Sequence, residues 1–211
     1  MFFMPMYVFG SDNCLRYKYD VDIKVENKDN SDIKIEKSAE NLVGKLGYTV
    51  SKVSYSYQLL LIPVHVNGGY CVSLRSIDID LLPAFNVIID KRLKEKTCAY
   101  DVVFKHEQDH VNVYKDVLKN NVDNVRKSVI DATKNLYPVF VEDLSNISKI
   151  ESEFAKKIET YKSVEQIKEK IKNKIDEENN KIDTRGDDYK IWRCKDFFEE
   201  MKDFYGNVAI D

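Results

Sequence analysis

Long apolar runs are missing from this sequence of 211 residues, and so is a marked excess of charge of one sign. The longest apolar stretch lies near residues 59–62, far short of the roughly 20 residues that a membrane-spanning helix needs, so we predict no membrane span. The 33 basic and 36 acidic side chains leave a net charge of -3, which predicts no binding to nucleic acid. With 43% hydrophobic residues, we expect a single domain over residues 16–211.

A complete secretion signal and closely spaced cysteine pairs are also missing. The first residues are apolar but lack the basic flank of a signal peptide, so residues 1–15 are either the remnant of a longer leader or a tucked N-terminal segment. Cys14, Cys71, Cys98 and Cys194 have no C-x-x-C spacing, which argues against a zinc knuckle or a redox pair. Their even number permits two disulfides in an exported protein, or four buried thiols in a cytoplasmic one.

The first 90 residues have the patterns of β-structure. Alternating apolar residues and runs of β-branched and aromatic residues predict strands at Tyr17–Val25, around Ile33 and Ile35, at Tyr48–Val66, at Tyr70–Leu81 and at Phe85–Ile89. Asn67-Gly68-Gly69 is typical of a hairpin turn. A short helix is predicted to begin near Ser38 and to end at Gly44 or Gly47. We therefore expect an antiparallel sheet in this mainly β part, residues 16–90.

Glycine and proline are absent between Asp90 and Pro138, and apolar residues recur there every three to four positions. This pattern predicts a long helix that Pro138 ends. A second helical pattern runs from Ile150 to Ile182. The predicted fold is therefore α+β: an N-terminal antiparallel sheet with a short helix, followed by a long helical hairpin in the mainly α residues 91–211.

Only three histidines occur in the chain, and two of them belong to the string His106-Glu107-Gln108-Asp109-His110 in the first predicted long helix. Residues four apart share one face of a helix, so the two imidazoles lie side by side. H-E-x-x-H in a helix is a zinc-peptidase pattern in which the histidines bind Zn2+ and the glutamate acts as general base. A chance match is the alternative.

The third zinc ligand is predicted to be Glu178. This carboxylate interrupts an otherwise isoleucine-rich stripe between Ile175 and Ile182, where it needs a cation or a strong donor. If two antiparallel helices meet near residues 138–146, equal rise per residue places positions 175–180 opposite the histidines. The capping-box pattern at residues 163–166 would break this register, and in that case Glu178 faces solvent.

Several other residues are alternative candidates for the third zinc ligand. Asp183, Glu142 and Glu177 are the reserve carboxylates, and His65, in a predicted strand, is more often a structural side chain than a ligand. Asp116 would complete an extended motif only with a glycine at position 113, where this chain has valine, so we discount it.

The segment from Cys98 to Val111, with residues 71–74 before it and Ile182-Asp183-Thr184, Tyr189 and Cys194 after it, resembles uncharacterised bacterial HExxH proteins. These are predicted zinc-dependent proteases of the domain-of-unknown-function type. The resemblance implies a zincin-like fold in a secreted or periplasmic protein, with His106 and His110 as ligands and Glu107 as base. Related domains often carry a histidine near the C-terminal Asp-x-x-Thr-type segment. This chain has none there, which leaves the third ligand to a carboxylate.

The cysteine placement fits the same picture, with Cys71 paired to Cys98 and Cys14 to Cys194, although buried free thiols are the alternative. We expect a zinc metallopeptidase that acts on a peptide or protein, with the extended substrate added to an edge of the strands in residues 70–89. Tyr100 and Tyr114 are near enough in sequence to line the cleft. The alternatives are a non-catalytic exported interaction module and a zinc hydrolase of non-peptide substrates. Neither the substrate nor the oligomeric state follows from the sequence.

Overall fold

A computed structural model of the chain describes residues 14–28, 33–42, 45–184, 191–195 and 197. Most of the apolar segment predicted at residues 1–15 therefore lies outside the described residues. In chain order, the elements are a 3-10 helix at Leu15–Tyr17, β1 at Asp22–Asn27, β2 at Ile33–Lys37, β3 at Gly47–Val66, β4 at Gly69–Ile89, α1 at Cys98–Thr133, β5 at Val139–Val141, α2 at Ile147–Glu159 and α3 at Lys162–Asp183.

The chain divides into two compact units, each assembled from three stretches of sequence. Unit 1 contains the described residues of Met1–Asn27, Tyr55–Leu81 and Asn120–Ile171. Unit 2 contains those of Lys28–Ser54, Leu82–Lys119 and Lys172–Asp211. β3, β4, α1 and α3 each contribute residues to both units. Each unit therefore combines strands with helices.

β4 is the strand with which the other strands pair. In unit 1, β1 pairs with it in parallel from Asp22 opposite Ser76, and β5 pairs antiparallel with its first residues. In unit 2, β2 pairs with it in parallel from Ile33 opposite Phe85. β3 pairs with β4 through the predicted hairpin turn, where Gly68 has a φ of 83° that glycine adopts without strain.

The prediction of an antiparallel sheet is wrong, because β1 and β2 both run parallel to β4. Alternation of apolar and polar residues determines which side chains of a strand face the core, and it carries no information on strand direction. The strands predicted at Tyr70–Leu81 and Phe85–Ile89 are one continuous strand, since Pro83 does not end it. From Ile77 to Ile89 its alternate side chains are buried, as the sequence pattern requires.

The predicted short helix at Ser38 is also wrong, because the described residues 38–42 form bends and irregular backbone. Asp90 organises this loop in unit 2: its carboxylate accepts a 2.7 Å hydrogen bond from the Leu42 N–H, and its own N–H donates to the Leu46 carbonyl at 2.8 Å. Arg92 binds the same carboxylate at 2.6 Å. The loop is therefore connected at both ends to the end of β4 and leads directly into β3.

The long helix is present as α1, but the predicted helical hairpin is wrong. After α1 the chain forms β5 and then two helices, because a break at residues 160–161 separates α2 from α3. At this break the Thr160 hydroxyl donates to the Lys156 carbonyl, and the Tyr161 carbonyl accepts the first hydrogen bonds of α3. Within the described residues, no helix combines the length and the apolar character needed to cross a bilayer.

Disulfides join Cys14 to Cys71 within unit 1 and Cys98 to Cys194 within unit 2. The expected pairing of Cys71 with Cys98 and of Cys14 with Cys194 is therefore wrong. Each bridge instead stays inside one compact unit, where the Cα atoms lie 5.4 and 5.5 Å apart. Two disulfides indicate an oxidising compartment and hence export.

Candidate metal centre

The first half of α1 presents the HEQDH residues to a cleft in unit 2. His106 and His110 are partly buried, and their rings meet edge to face with centroids 4.9 Å apart. They lie side by side because they are four residues apart, just over one turn of helix. Glu107 is only 4% exposed, and its side chain lies between α1 and the start of β3.

Asp183, the last residue of α3, brings a carboxylate to the two imidazoles. Its Oδ1 lies 3.4 Å from His106 Nε2 and 3.1 Å from His110 Nε2, and the two Nε2 atoms are 3.2 Å apart. In a tetrahedral zinc site with bonds of about 2.0–2.1 Å, neighbouring ligand atoms are about 3.3 Å apart. The three atoms therefore have the spacing of one face of such a tetrahedron, and this group could hold a metal ion.

Asn179 orients one of the two imidazoles. His110 Nδ1–H donates a 2.9 Å hydrogen bond to Asn179 Oδ1, which can only accept. In the neutral ring the proton on Nδ1 leaves the Nε2 lone pair directed at His106 and Asp183. Since Asn179 and Asp183 are four residues apart on α3, one helix face supplies both the carboxylate beside the histidines and the group that orients His110.

Glu107 is held by the first residues of β3. Thr49 Oγ1 donates to Glu107 Oε2 at 2.8 Å. At Gly47 a Cβ would lie 2.7 Å from Val103 Cγ1 and 3.0 Å from Glu107 Oε1, so only glycine allows the strand to come this close to α1. Burial raises the pKa of the Glu107 carboxyl, while the Thr49 hydrogen bond and the imidazoles partly oppose this shift.

These groups line a cleft of about 710 Å³. The side of the cleft that carries the histidines and Asp183 is polar, and the rest of its wall is mainly apolar. The wall includes the aromatic side chains of Tyr48, Tyr114, Trp192 and Phe197. Of the two tyrosines considered from the sequence, Tyr114 lines the cleft and packs edge to face on Phe85, whereas Tyr100 stacks on Phe104. A volume of this size accommodates several residues of a ligand.

Glu178 is not part of the group that converges on the histidines. Its carboxylate binds Lys174 Nζ and Lys181 Nζ, each at 2.8 Å, and these hydrogen bonds lower its pKa to about 2. The prediction of Glu178 assumed one continuous helix returning antiparallel to α1, with equal rise per residue. Because the chain breaks before α3, positions 175–180 are not placed opposite the histidines in the way that this assumption required. Asp183, a reserve candidate, occupies the place predicted for Glu178.

The other reserve residues lie elsewhere. Glu177 binds the same two lysines as Glu178, at 3.1 and 2.7 Å. Glu142 is exposed in the bend after β5 in unit 1. His65 lies in β3 with its ring edge to face against Tyr70, and Asp116 is exposed on α1.

Sequence reasoning did not identify Asn179, Thr49 or Gly47. One signal was available for Asn179: it precedes Asp183 by four residues, the same spacing as that between the two histidines. Gly47 and Thr49 carried no comparable signal, because their role depends on β3 lying against α1.

No protein-family model, no curated protein and no solved structure matches this chain. The resemblance of its HEQDH region to the bacterial HExxH proteins therefore stays a prediction.

Proposed function

We propose that this protein is a zinc-dependent metallopeptidase of the zincin-like type, with His106, His110 and Asp183 as zinc ligands and Glu107 as general base. The observation that supports this most directly is the convergence of two imidazole nitrogens and one carboxylate oxygen at 3.1–3.4 Å, beside a buried glutamate and an open cleft. Two histidines and one carboxylate are the donor set of many catalytic zinc sites, which leave one position open.

When bound there, zinc would supply Lewis acidity and would lower the pKa of a water molecule towards neutrality. Glu107 takes a proton from the water whose oxygen attacks the peptide carbonyl carbon. It then delivers this proton to the amine nitrogen as the C–N bond breaks. Thr49 holds one carboxylate oxygen of Glu107 and so keeps the base in place during both transfers. Asn179 keeps His110 in the tautomer that can donate its Nε2 lone pair.

The substrate binds as an extended chain along β3. The sequence suggested an edge of residues 70–89, but β4 pairs with several strands, whereas among the described residues β3 pairs with β4 alone. The free side of a strand offers N–H and C=O groups to a peptide backbone. Residues 47–54 of β3 belong to unit 2, and Thr49 within them already contacts Glu107. Given the two disulfides, we place the enzyme in the periplasm or outside the cell.

The test combines metal analysis with cleavage of a peptide mixture by the purified protein, followed by mass spectrometry. We expect one zinc per chain, and we expect Glu107→Gln to keep the zinc while cleavage falls by about 10²- to 10⁴-fold. Glu159→Gln is the matched control, since Glu159 belongs to unit 1, and it should cleave like the wild type. Zinc without Glu107-dependent cleavage would indicate a non-catalytic module, or a hydrolase of other substrates if esters are cleaved. Absence of zinc would contradict the metal site itself.

A further inference from the structure

The apolar wall of the cleft contains a large exposed aromatic side chain. Trp192 is 46% exposed and lines the same cleft as His106 and Glu107. Val102 and Leu46 line the same cleft and are partly buried against the hydrophobic core of unit 2. An indole exposed in this way leaves apolar area in water that a ligand side chain can cover.

The segment that carries Trp192 is firmly anchored. Ile191 before it and Phe197 after it are core residues, with exposures of 4% and 1%. Cys194 is bridged to Cys98 at the start of α1, and the Trp192 ring packs edge to face on Phe197 at 5.3 Å. An apolar surface that is already ordered loses little entropy when it binds a ligand, so it favours recognition of one kind of side chain.

We propose that Trp192, with Val102 and Leu46, forms a subsite for a bulky apolar side chain, and that the enzyme cleaves peptides beside a residue such as phenylalanine or leucine. This inference rests on the proposed peptidase function. The subsite shares its cleft with the metal centre, and on this basis we assign it to a residue close to the scissile bond. A carboxylate side chain would lose its hydration against this wall, where the indole N–H of Trp192 is the one side-chain donor of the three subsite residues, so acidic residues bind more weakly here.

The first experiment measures binding without catalysis. Trp192 is the single tryptophan of the chain, so tryptophan emission reports on this position alone. Zinc-loaded Glu107→Gln protein is titrated with blocked hexapeptides that are identical except for Phe, Leu, Ala or Asp at one central position. The Phe and Leu peptides should shift the emission to the blue and saturate, and the Ala and Asp peptides should bind at least about tenfold more weakly.

The second experiment measures cleavage by the wild type, Trp192→Ala, Trp192→Phe and Ile130→Ala. For Phe and Leu peptides, Trp192→Ala should lower kcat/KM by about ten- to a hundredfold, mainly through KM, and Trp192→Phe should restore most of it. For the Ala peptide the two variants should match the wild type. Ile130→Ala removes an apolar side chain that is 41% exposed in unit 1, and it should change nothing.

The outcomes separate the subsite from the catalytic proposal. Cleavage of Phe, Ala and Asp peptides with equal kcat/KM would overturn the proposed subsite, while the proposed peptidase function would still be supported. A saturable blue shift with Phe and Leu peptides, but no cleavage by the wild type, would support the subsite and contradict the catalytic role of Glu107. Neither binding nor cleavage of any of the four peptides would overturn both.

Discussion

Unit 1 and unit 2 both gather polar side chains beside β3, and the two groups differ in how their charges are balanced. In unit 1, Tyr55 and Tyr57 of β3 meet Lys168 of α3 and Glu159 of α2. In unit 2, Thr49 of β3 contacts the helix that carries the two histidines, and α3 contributes Asp183. Similar elements therefore supply both groups.

The unit 1 group contains its own cation. Lys168 Nζ lies 3.2 Å from the Glu159 carboxylate and 4.7 Å from the centre of the Tyr55 ring. Burial and the Glu159 charge raise the pKa of Tyr57, so its phenol stays protonated. The charges compensate one another within the group, which is the usual state of a structural cluster.

The unit 2 group brings electron-pair donors together instead. Two Nε2 atoms and one carboxylate oxygen lie within 3.1–3.4 Å of one another, an arrangement that repels unless a proton or a metal ion is shared. Partial burial of a polar cluster therefore does not by itself indicate a functional site. Several electron-pair donors held close together without a cation of their own do indicate one. Four predictions test this difference between the units.

The largest expected effect is on stability, from removing the disulfides one at a time. In the chain-entropy model, bridges that span 57 and 96 residues stabilise the fold by about 4 and 5 kcal/mol. We expect Cys14→Ala/Cys71→Ala and Cys98→Ala/Cys194→Ala to lower the free energy of unfolding by similar amounts in denaturant titrations. Only the second pair should change the emission of Trp192, which lies two residues from Cys194. Non-reducing peptide maps that link Cys71 to Cys98 would contradict the assignment.

The next effect is on metal binding. Asp183→Ala removes a ligand oxygen and should weaken zinc binding by more than about a hundredfold, since loss of an orienting group alone costs about 10- to 100-fold. Asn179→Ala should fall in that lower range. Glu178→Ala is the matched control on the same helix and should bind zinc like the wild type, as measured by competition with a chelator. Reduced affinity in Glu178→Ala with normal affinity in Asp183→Ala would restore the assignment made from sequence.

The third effect concerns acid stability. Burial alone would raise the pKa of Asp90, but hydrogen bonds from Arg92 and Leu42 outweigh it and lower the pKa below its ordinary value. This stabilisation is complete above the ordinary pKa, about 4, and is lost as the pH falls through the lowered folded-state pKa.

Asp90→Asn should therefore lower the free energy of unfolding at pH 7 by about 1.5 to 3 kcal/mol, and the deficit should shrink below about pH 4. Chemical unfolding at several pH values measures this. Asp143→Asn in unit 1 is the control, because the Asp143 carboxylate is exposed and should contribute little. A deficit that is independent of pH would contradict the assigned role of the Asp90 charge.

The smallest effect on stability is expected from one contact in each group. Lys168→Met and Thr49→Val should each change the free energy of unfolding by no more than about 1 kcal/mol. If the unit 1 group is structural and the unit 2 group catalytic, only Thr49→Val should lower kcat, by about ten- to a hundredfold with KM nearly unchanged. A lower kcat in Lys168→Met, with an unchanged kcat in Thr49→Val, would contradict the assignment of a structural group to unit 1 and a catalytic group to unit 2.

Local patterns in the sequence predicted the local structure well. The three-to-four residue period without glycine or proline corresponds to α1, and Asn67-Gly68-Gly69 corresponds to the β3–β4 turn. The predicted return helix failed at residues 160–161, just before the capping-box pattern at residues 163–166 that had indicated a possible break. Such features depend on residues a few positions apart, and that is the range over which hydrogen bonds of helices and turns form.

Strand direction and cysteine pairing could not be predicted in the same way. β2 and β4 pair across about 50 residues of sequence, and Cys98 and Cys194 across 96. Contacts at that sequence separation depend on how the intervening helices and strands pack against one another. The spacing of apolar residues along the chain does not determine this packing. The short helix at Ser38 failed for the same reason, since Asp90, 48 residues from Leu42, holds that loop in another conformation.

The amino-acid sequence alone indicates an imidazole pair and a carboxylate on one face of a long helix, because spacing within a helix is a local property. Which second carboxylate lies beside the histidines depends on how the helices pack. Asn179 lies 69 residues from its partner His110, and the choice of Asp183 over Glu178 depends on where α3 begins and which of its faces meets α1. Adjacent helix positions are rotated by about 100° about the helix axis, so this packing decided which carboxylate lies beside the histidines and which one binds surface lysines.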